Sequence, residues 1–396
     1  MILQGDCRLI LPTLDENSVD SIVTDPPYEI GFMGKTWDSS GVAFDPATWA
    51  AALRVAKPGA YLAAFGGTRT SHRMACAIED AGWELRDTIM WIYGSGFPKS
   101  KNLDGDWAGW GTALKPAWEP IILARKPFKG PVAANVERHG TGALNIDGCR
   151  IGLSEGDDPR LGGNGAWTTT RIQSGDTVSL PRGEVKSSPL GRWPANLVHD
   201  GSDEVLAAFP SAPGQQGDLT GREPSRPAVN TYGDMPAPRV FKARREGESS
   251  ASRCYRDVGG TNFALLPGVR RNPTSAARFF YCAKASRADR NDGCTGMAMA
   301  KVHGPSGDGR CWDIPGSKST PQANNHPTVK PTDLMRWLCR LVTPRHGVVL
   351  DMFTGSGSTG RGAVAEGFRF VGIELGHENI SIAKARVRAT QPGLGI

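Results

Sequence analysis

Neither long apolar runs nor paired cysteines occur in this sequence. No run of about 18 apolar residues appears in its 396 residues, so no membrane-spanning helix is predicted. The first residues lack a basic segment followed by a long apolar stretch, and no secretory signal is expected. The eight cysteines contain no Cys-x-x-Cys pair, which fits a reducing compartment better than a disulfide framework. These absences predict a protein of the cytoplasm.

Compact metal-ligand spacing is also missing. Cys282, Cys294, His303 and Cys311 follow one another at gaps of 12, 9 and 8 positions, and no gap matches the short spacing of a zinc knuckle. Single thiols, buried or in loops, are the expected alternative. We therefore predict no metal site.

The chain is rich in glycine, proline and, in its middle, arginine. Its 50 Gly and 29 Pro predict long loops. Between residues 221 and 290 there are 14 Lys and Arg against six Asp and Glu, an excess larger than the net charge of +6 for the whole chain. This segment suits a polyanionic partner, and a solvated basic surface is the alternative.

Apolar periodicity predicts alternating strands and helices at both ends of the chain. Near the start we predict strands over 19–24, 60–65, 89–93 and 120–124, and helices over 46–55 and 68–81. Asp45 is the expected N-cap of the first of these helices, because Pro46 follows at the first helical position. Near the end we predict a helix starting at 331, a strand over 348–350, a helix over 362–366 and a strand over 370–373. The pattern indicates an α/β fold.

The two α/β regions flank a middle with little periodicity. We divide the chain into residues 1–130, 131–325 and 326–396, and expect one sheet built from both outer regions. The middle is expected to form long loops, above all over 153–190, with short strand-like islands such as residues 278–282. Trp107, Trp110 and Trp118 are expected to be core residues.

A glycine-rich turn follows the strand predicted over 348–350. Gly355, Gly357 and Gly360 satisfy G-x-G-x-x-G, and the acidic Glu374 closes the next strand 19 residues after Gly355. Glycines permit a tight turn and close backbone approach to a ligand, and the carboxylate can accept hydrogen bonds from ribose hydroxyls. The arrangement favours a nucleoside-containing ligand over a purely structural turn.

The residues around this turn narrow the choice of ligand. A phosphate-binding P-loop needs Lys and then Ser or Thr after its last glycine, whereas Arg361 and Gly362 follow Gly360. About 36 residues remain after Gly360, too few for a complete dinucleotide fold downstream. Nucleotide hydrolysis and NAD binding are therefore disfavoured.

A second motif ends the first apolar strand. Asp25, Pro26, Pro27 and Tyr28 place a carboxylate, two rigid residues and an aromatic ring at a strand end. Proline fixes φ and donates no backbone hydrogen bond, so such a loop is stiff. The alternative is a tight turn whose tyrosine packs in the core.

Together the two motifs resemble those of the amino-methylating DNA methyltransferases, which carry (D/N/S)PP(Y/F/W) and FxGxG. Here these are Asp25-Pro26-Pro27-Tyr28 and Phe353-Thr354-Gly355-Ser356-Gly357. The catalytic motif precedes the cofactor motif, as in the permuted β group of that family. Two further segments resemble this family as well: Gly5-Asp6-Cys7 and His326-Pro327-Thr328-Val329-Lys330-Pro331. The resemblance covers roughly residues 1–130 and 320–390.

The resemblance implies a fold and a reaction. The fold would be a Rossmann-like α/β methyltransferase sheet with circularly permuted motif order and a loop-rich central insertion that recognises the target. The cofactor would be S-adenosyl-L-methionine, and the partner double-stranded DNA, with a homodimer possible. The setting would be the cytoplasm of a bacterial or phage-infected cell. The Asp25 carboxylate and the Pro26 carbonyl would accept hydrogen bonds from the target amino group, and Tyr28 would stack on a base flipped out of the duplex.

The resemblance also implies which residues bind the cofactor. Glu374 would hold the ribose, and Asp6 would lie near the adenine ring. The remaining expected positions line the methionine side: Lys330, Thr332, Asp351, Phe353, Gly355 and Gly357. Lys330 has a solvated lysine at a helix start as its alternative.

Several functions stay open at this point. In this family an Asp at the first motif position, here Asp25, favours adenine N6 as the methylated atom, and cytosine N4 is the nearest alternative. Cytosine C5 methylation is disfavoured because no proline is followed by cysteine. A DNA-binding protein without catalysis, and an RNA or protein methyltransferase, are the alternatives of other classes. In the loop over 29–44, Phe32, Met33, Lys35 and Trp37 suit closure over a flipped base or phosphate contact, with a packed surface loop as the alternative.

Overall fold

The computed structural model describes both ends of the chain and parts of its middle. The described residues are 1–31, 36–94, 96, 100–152, 190–209, 211–212, 229–230, 233–234, 274–283, 288–295, 297, 323–324, 326 and 328–391. The chain divides into two compact units. The first comprises Met1–Ile151, Trp193–Ala207 and Phe280–Ile396, and the second comprises Gly152–Arg192 and Ala208–Phe279. In the part of the chain that is described, no helix has the length and apolarity needed to cross a bilayer.

The described residues contain thirteen strands. In chain order these are β1 (Ile2–Gln4), β2 (Val19–Thr24), β3 (Ala56–Phe65), β4 (Glu84–Ile92), β5 (Trp118–Arg125), β6 (Leu197–His199), β7 (Ser211–Ala212), β8 (Val229–Asn230), β9 (Gly233–Asp234), β10 (Thr274–Ser275), β11 (Tyr281–Cys282), β12 (Val348–Asp351) and β13 (Arg369–Glu374). Nine of them form one sheet in the first unit, in the order β1-β13-β12-β2-β3-β5-β4-β6-β11.

Strand direction in this sheet is parallel except at β5. β5 runs antiparallel to both of its neighbours, β3 and β4, and every other adjacent pair is parallel. β12, from the last fifth of the chain, pairs with β2, from its first part, and places Val349 opposite Ser21 and Leu350 opposite Ile22. The expected sheet built from both outer regions is therefore what the structure shows.

Nine α-helices occur within the described ranges. They are α1 (Cys7–Ile10), α2 (Pro46–Val55), α3 (Ser71–Asp80), α4 (Val132–His139), α5 (Asp203–Ala208), α6 (Ala288–Asn291), α7 (Thr332–Val342), α8 (Ser358–Ala365) and α9 (His377–Ala389). The start of α2 agrees with the prediction, because the Asp45 side chain accepts a hydrogen bond from the Ala47 amide and Pro46 is the first helical residue.

Apolar residues of the sheet pack on both of its faces. Along β3, Leu62 belongs to a core with Trp49 of α2, whereas Phe65 belongs to a second core with Trp337 of α7. This alternation follows from the two-residue period of a strand, and burial on both faces explains why the second half of β3, residues 60–65, is continuously apolar. The predicted α/β fold is confirmed as a sheet covered by helices on two sides.

Some elements lie where the sequence predicted loops. Within residues 131–325, α4 is a helix and β6 extends the sheet beyond β4, whereas β11, next to β6, lies in the strand-like island predicted over 278–282. β6 has three residues, too few to show a two-residue period in the sequence.

The second unit contains two short antiparallel pairs, β7 with β10 and β8 with β9. The guanidinium groups of Arg192 and Arg278 lie 4.9 Å and 4.4 Å from the ring centroid of Phe279. All but the last residue of the loops predicted over 153–190, and most of the basic segment over 221–290, lie outside the described residues, and the role predicted for them stays a prediction.

Candidate active site at the carboxyl edge of the sheet

The two sequence motifs meet where the strand order reverses. From β2 the chain continues to β3 on one side, and from β12 it continues to β13 on the other, so β2 and β12 flank a topological switch point. In open α/β sheets, ligands bind outside the carboxyl ends of the strands at such a point. The Thr24 hydroxyl, at the end of β2, donates a 2.6 Å hydrogen bond to the Asp351 carboxylate, at the end of β12.

Asp25 is the first residue after β2 and is mostly buried. Its side chain is 18% exposed, and Oδ1 lies 3.4 Å from the ammonium nitrogen of Lys330. Burial raises the pKa of Asp25 to about 6, with Lys330 acting to lower that pKa and Glu119 acting to raise it. The carboxylate therefore ionises near neutral pH while keeping contact with solvent.

Tyr28 is held by its hydroxyl. That hydroxyl donates to Glu119 Oε2 at 2.8 Å and accepts a hydrogen bond from Lys330 Nζ at 2.9 Å. The Tyr28 carbonyl accepts a 2.7 Å hydrogen bond from the Thr70 hydroxyl. Burial, followed by the charges of Asp25 and Glu119, raises the pKa of Tyr28 well above its ordinary value. The phenol therefore remains protonated, and its ring has a fixed orientation at the edge of the sheet.

Lys330 connects these groups. Its side chain is 7% exposed, and Nζ lies 2.6 Å from Glu119 Oε2. The same nitrogen lies 5.3 Å, 4.7 Å and 5.6 Å from the ring centroids of Tyr28, Phe65 and Trp91. Burial alone would lower the pKa of Lys330, but the neighbouring carboxylates raise it above its ordinary value. Lys330 is therefore a buried cation at the end of β2, on the catalytic-motif side of the switch point.

The glycine turn after β12 has the backbone that its residues require. Gly355 has φ +51° and Gly357 has φ +83°, a region that other residues rarely adopt. Gly357 caps α8, and a Cβ at this position would lie 3.0 Å from the Cα of Ala383 in α9. At Gly355 a Cβ would lie 2.9 Å from Nε2 of His326. The turn is thus packed closely on both sides.

Glu374, at the end of β13, faces this turn. Its Oε2 accepts a 2.7 Å hydrogen bond from the Gly355 amide, and its Oε1 accepts hydrogen bonds from the Gly376 amide and from the Asn379 side chain at 2.8 Å and 3.0 Å. A carboxylate has about four acceptor positions, so about one stays open on Oε2. The Gly5 amide donates to the Glu374 carbonyl at 2.9 Å, which brings the N-terminal segment to the same edge.

Asp6 caps α1 beside that contact. Its carboxylate accepts hydrogen bonds from the Arg8 amide at 2.9 Å and from the Arg8 guanidinium at 2.6 Å. The hydrogen bond from Arg8 lowers the pKa of Asp6. Asp6 is thus an ionised carboxylate whose oxygens are largely occupied by Arg8.

Asp351 and Phe353 shape the other side of the turn. Asp351 is 1% exposed and also accepts a 3.1 Å hydrogen bond from the Phe353 amide. Burial raises the pKa of Asp351 to about 6, while the hydrogen bond from Thr24 acts to lower it. Asp351 therefore ties the end of β12 to β2 and to its own turn.

Thr332 and His326 lie in the segment that leads into α7. Thr332 is the first residue of α7, and its hydroxyl oxygen is buried without a hydrogen-bond partner. His326 packs over Gly355, and burial lowers its pKa to about 4, so this imidazole is neutral at physiological pH. The segment over 326–331 thus contacts both parts of the site: His326 packs on the glycine turn, and Lys330 contacts the catalytic motif.

Two residues of this site were not predicted from the sequence. Glu119 lies in β5, and its Oε1 also accepts a 3.3 Å hydrogen bond from the Tyr93 hydroxyl. The strand over 120–124 was predicted, but the sequence shows no sign that it runs antiparallel. Because it does, its first residues lie at the same edge as the carboxyl ends of β2 and β4. His326 belongs to the family-like segment over 326–331, but the sequence indicated no role for it.

Loops at this edge differ in part from expectation. Trp107 and Trp110 are 57% and 62% exposed, with ring centroids 5.4 Å apart, so the prediction that they are core residues was wrong. Their loop forms hydrogen bonds with itself, including one of 2.9 Å from the Leu103 amide to the Trp110 carbonyl. In the loop over 29–44, Trp37 is 38% exposed, while Phe32, Met33 and Lys35 lie outside the described residues.

Within the ranges described above, no cluster of three or more His, Cys, Asp or Glu side chains could hold a metal ion. Cys282 and Cys294 form no disulfide within these ranges, and His303 and Cys311 lie outside them. The side chains described at this edge are carboxylates, one ammonium group, one imidazole and aromatic rings.

Comparison with known proteins identifies a family. A family model for N6 and N4 methyltransferases, described as DNA methylase, matches residues 19–182 and 270–385 of this chain. These two stretches amount to more than half of the sequence and include both motifs.

Individual relatives match over shorter stretches. The type II methyltransferase M.HindIII of Haemophilus influenzae is 31% identical over 108 residues, which cover 24% of this chain and 35% of that protein. The DNA adenine methyltransferase YhdJ of Escherichia coli K12 is 36% identical over 80 residues, 20% of this chain and 27% of that protein. The chain thus matches about a third or less of the length of these relatives.

The chain also aligns with solved structures of DNA methyltransferases. A DNA modification methylase of Thermus thermophilus, TTHA0409, solved with S-adenosyl-L-methionine, aligns with a TM-score of 0.42 and 15% identity over 98% of this chain and 93% of its own. The PvuII cytosine-N4-specific DNA methyltransferase aligns with a TM-score of 0.41 and 11% identity over 98% and 85%.

Proposed function

This chain belongs to the N6/N4 DNA methylase family, and on that basis we propose that it transfers a methyl group from S-adenosyl-L-methionine to adenine N6 in double-stranded DNA. The observation that supports this most directly is the switch point. There the Asp25 carboxylate and the glycine turn after β12 lie side by side, joined by the 2.6 Å hydrogen bond from Thr24 to Asp351. A hydrogen-bond acceptor for the target and a cofactor turn are thus adjacent at the edge where ligands bind.

The residues of the glycine turn fit such a cofactor. Gly355 is only half-buried and carries no side chain, and Glu374 keeps about one acceptor position for a ribose hydroxyl. Phe353 and Asp351 would border the methionine portion, and Asp6 would lie toward the adenine ring. When bound, S-adenosyl-L-methionine supplies a methyl group on a positively charged sulfonium.

The catalytic motif fits an aromatic amine as the target. The lone pair of such an amine is delocalised into its ring, which makes the nitrogen a weak nucleophile. We assign to the Asp25 carboxylate and the Pro26 carbonyl the acceptance of hydrogen bonds from the amino group, which localises the lone pair on nitrogen. With a pKa of about 6, Asp25 is ionised at pH 7–8 and can take up the proton that the amine loses.

The partner in this proposal is duplex DNA that approaches the carboxyl edge of the sheet. A base inside the duplex cannot reach Asp25, so the target base leaves the stack at a cost of a few kcal/mol. Tyr28, oriented by Glu119, offers a ring for stacking. The exposed Trp107 and Trp110 lie on the connection between β4 and β5 at this same edge.

Two points favour adenine over cytosine. The catalytic motif begins with Asp25, the residue that leans toward adenine in this family. One of the relatives, YhdJ, is named a DNA adenine methyltransferase. Cytosine N4 stays the alternative, because the family model covers both chemistries.

Nucleoside mass spectrometry tests the proposal. Unmethylated DNA incubated with the protein and S-adenosyl-L-methionine should yield N6-methyladenine, and Asp25→Ala should lower the yield by roughly 100-fold or more. Asp147→Ala, which removes a carboxylate with 67% side-chain exposure, is the matched control and should keep full activity. N4-methylcytosine would overturn the choice of base. Activity confined to RNA or protein, or undiminished in Asp25→Ala, would refute the proposed function or mechanism.

A further inference from the structure

We propose that Glu119 is a positioning residue for methyl transfer: as the closer counter-ion of Lys330, it keeps the ammonium group from closing its 3.4 Å contact with Asp25 into a full hydrogen bond and so leaves the Asp25 carboxylate available to the target amine. This inference rests on the proposed function, since it assigns a task to a residue of the same site. Neither sequence motif contains Glu119, which enters the site from the antiparallel strand β5.

The distances show which carboxylate holds the ammonium group. Lys330 Nζ lies 2.6 Å from Glu119 Oε2, a full hydrogen bond, but 3.4 Å from Asp25 Oδ1. The Tyr28 hydroxyl, 2.9 Å from the same nitrogen, supplies a second oxygen on the Glu119 side. Two short contacts thus direct Lys330 toward Glu119 and Tyr28.

Lys330 cannot avoid this choice by moving into solvent. Its side chain is 7% exposed, and the rings of Phe65 and Trp91 pack around the ammonium group. A buried ammonium needs a carboxylate nearby, because its desolvation is otherwise uncompensated. If Glu119 loses its charge, Asp25 is the remaining carboxylate in contact with Lys330, and the 3.4 Å contact is expected to shorten to a hydrogen-bonded ion pair.

Such an ion pair would change Asp25 in two ways. It would occupy the oxygen that the target amine needs, and it would make the carboxylate less basic. The groups that face Asp25 are Lys330, Glu119, Tyr28 and, across the switch point, Asp351. Among them Lys330 lowers the pKa of Asp25, whereas Glu119 and Asp351 favour its protonated form because of their like charge.

The pH dependence of kcat/KM tests the inference through Glu119→Gln. This substitution keeps the shape of the side chain and an oxygen for Tyr28, but removes the charge. Activity should fall by roughly tenfold or more. The acidic limb of the profile should move down by about one pH unit, because the like charge of Glu119 is removed and Lys330 moves closer to Asp25, and neighbouring charges shift a carboxyl pKa by about one to three units. The affinity for S-adenosyl-L-methionine should not change.

Two further variants exclude a merely structural effect. Lys330→Met should move the acidic limb up, the opposite direction, because Asp25 then loses its cation. Glu119→Asp keeps the charge and should restore most of the profile if Glu119→Gln folds poorly. Tyr93→Phe removes only the 3.3 Å contact to Glu119 Oε1 and should leave the limb in place. An unshifted limb in Glu119→Gln, or a shift of the same sign in Glu119→Gln and Lys330→Met, would overturn the inference.

A measurement without turnover separates this inference from the proposed function. Because burial raises the pKa of Asp25, its contribution to stability is lost as pH rises from about 4 to about 6. Asp25→Asn should therefore flatten the pH dependence of Tm strongly when Glu119 is present. In the Glu119→Gln background the flattening should be weak, because the pKa of Asp25 is already lower there. An equal effect in both backgrounds refutes the inference even if the wild-type protein methylates DNA. An inactive wild-type protein with unequal effects refutes the proposed function alone.

Discussion

At the scale of single residues, the site is defined by carboxylates that are buried yet ionisable. Asp25 and Asp351 end or follow neighbouring strands, and burial raises the pKa of each to about 6. Thr24 connects the two positions with a hydrogen bond to Asp351. Only 1% of the surface of Asp351 is exposed, so its carboxylate has lost almost all contact with water. Hydrogen bonds from Thr24 and from the Phe353 amide compensate for this loss and allow the charge to be buried.

The raised pKa of Asp351 has a consequence for stability. In the folded protein this pKa is about 6, against 3.8 for an unperturbed carboxyl, so the protonated form is favoured by folding. Its stabilising contribution is complete below about pH 4 and is lost as pH rises through 6, a change of about 3 kcal/mol at 1.36 kcal/mol per pKa unit. Asp351→Asn should remove this loss.

Urea unfolding of the wild type and of Asp351→Asn between pH 4 and pH 7 measures this effect. The difference between their free energies of unfolding cancels the other titrating groups, such as Asp6. Stability of the variant relative to wild type should rise with pH. A constant difference across the range would mean that Asp351 titrates normally in the folded state.

Residue identities at the site were predictable only where a motif marks them. Asp25, Tyr28, Gly355 and Glu374 stand in recognisable patterns at strand ends, and the structure brings all four to the same edge. Glu119 has no such pattern, because it depends on β5 running antiparallel. That direction follows from tertiary packing and leaves no mark in local periodicity.

At the scale of elements, the glycine turn is fixed by the helices that follow it. α8 begins directly after Gly357, and α9 packs closely against this residue. A Cβ added to Gly357 would lie only 3.0 Å from the Cα of Ala383 in α9. The sequence predicted the turn and the strand before it, but began α8 four residues late, at 362 instead of Ser358. The glycines of α8 hide its start, since glycine is a poor helix former.

Gly357→Ala should therefore be harmful for two reasons, the left-handed φ of +83° and the contact with α9. Gly41→Ala is the matched control, because its φ is +76° and nothing lies within 4 Å of the added Cβ. The control should lose about 1 kcal/mol for backbone strain alone. Gly357→Ala should lose about 1–3 kcal/mol more for overpacking. Thermal unfolding of both variants measures this, and equal losses would show that α9 moves aside freely.

At the scale of the whole molecule, the sheet joins distant parts of the chain at its centre. β12 lies between β13 and β2, and the two cores on either face draw residues from both ends of the sequence. Strand alternation predicted this joint sheet. The short strand β6 was not predicted, because three residues are too few to carry a periodic signal, whereas β11 lies in the strand-like island predicted over 278–282.

Native-state hydrogen exchange should reflect this order. The amides of Ile22 in β2 and Leu350 in β12 lie at the centre and should exchange only by global unfolding, with equal free energies. Amides of the edge strands β1 and β11 should exchange faster, by local opening. If Leu350 exchanged well before Ile22, the two ends of the chain would unfold as separate units, contrary to a single sheet.

The pairing of β2 with β12 also affects how the protein is made. β2 ends at Thr24, whereas its neighbour begins at Val348, so a ribosome has to add over 300 residues before β2 can be covered on that side. At about 5–20 residues per second, this interval lasts roughly 15–65 s. Throughout it, an apolar strand edge is open to pairing with other nascent chains. Synthesis of this protein thus passes through a prolonged stage in which chaperones are most needed to prevent aggregation.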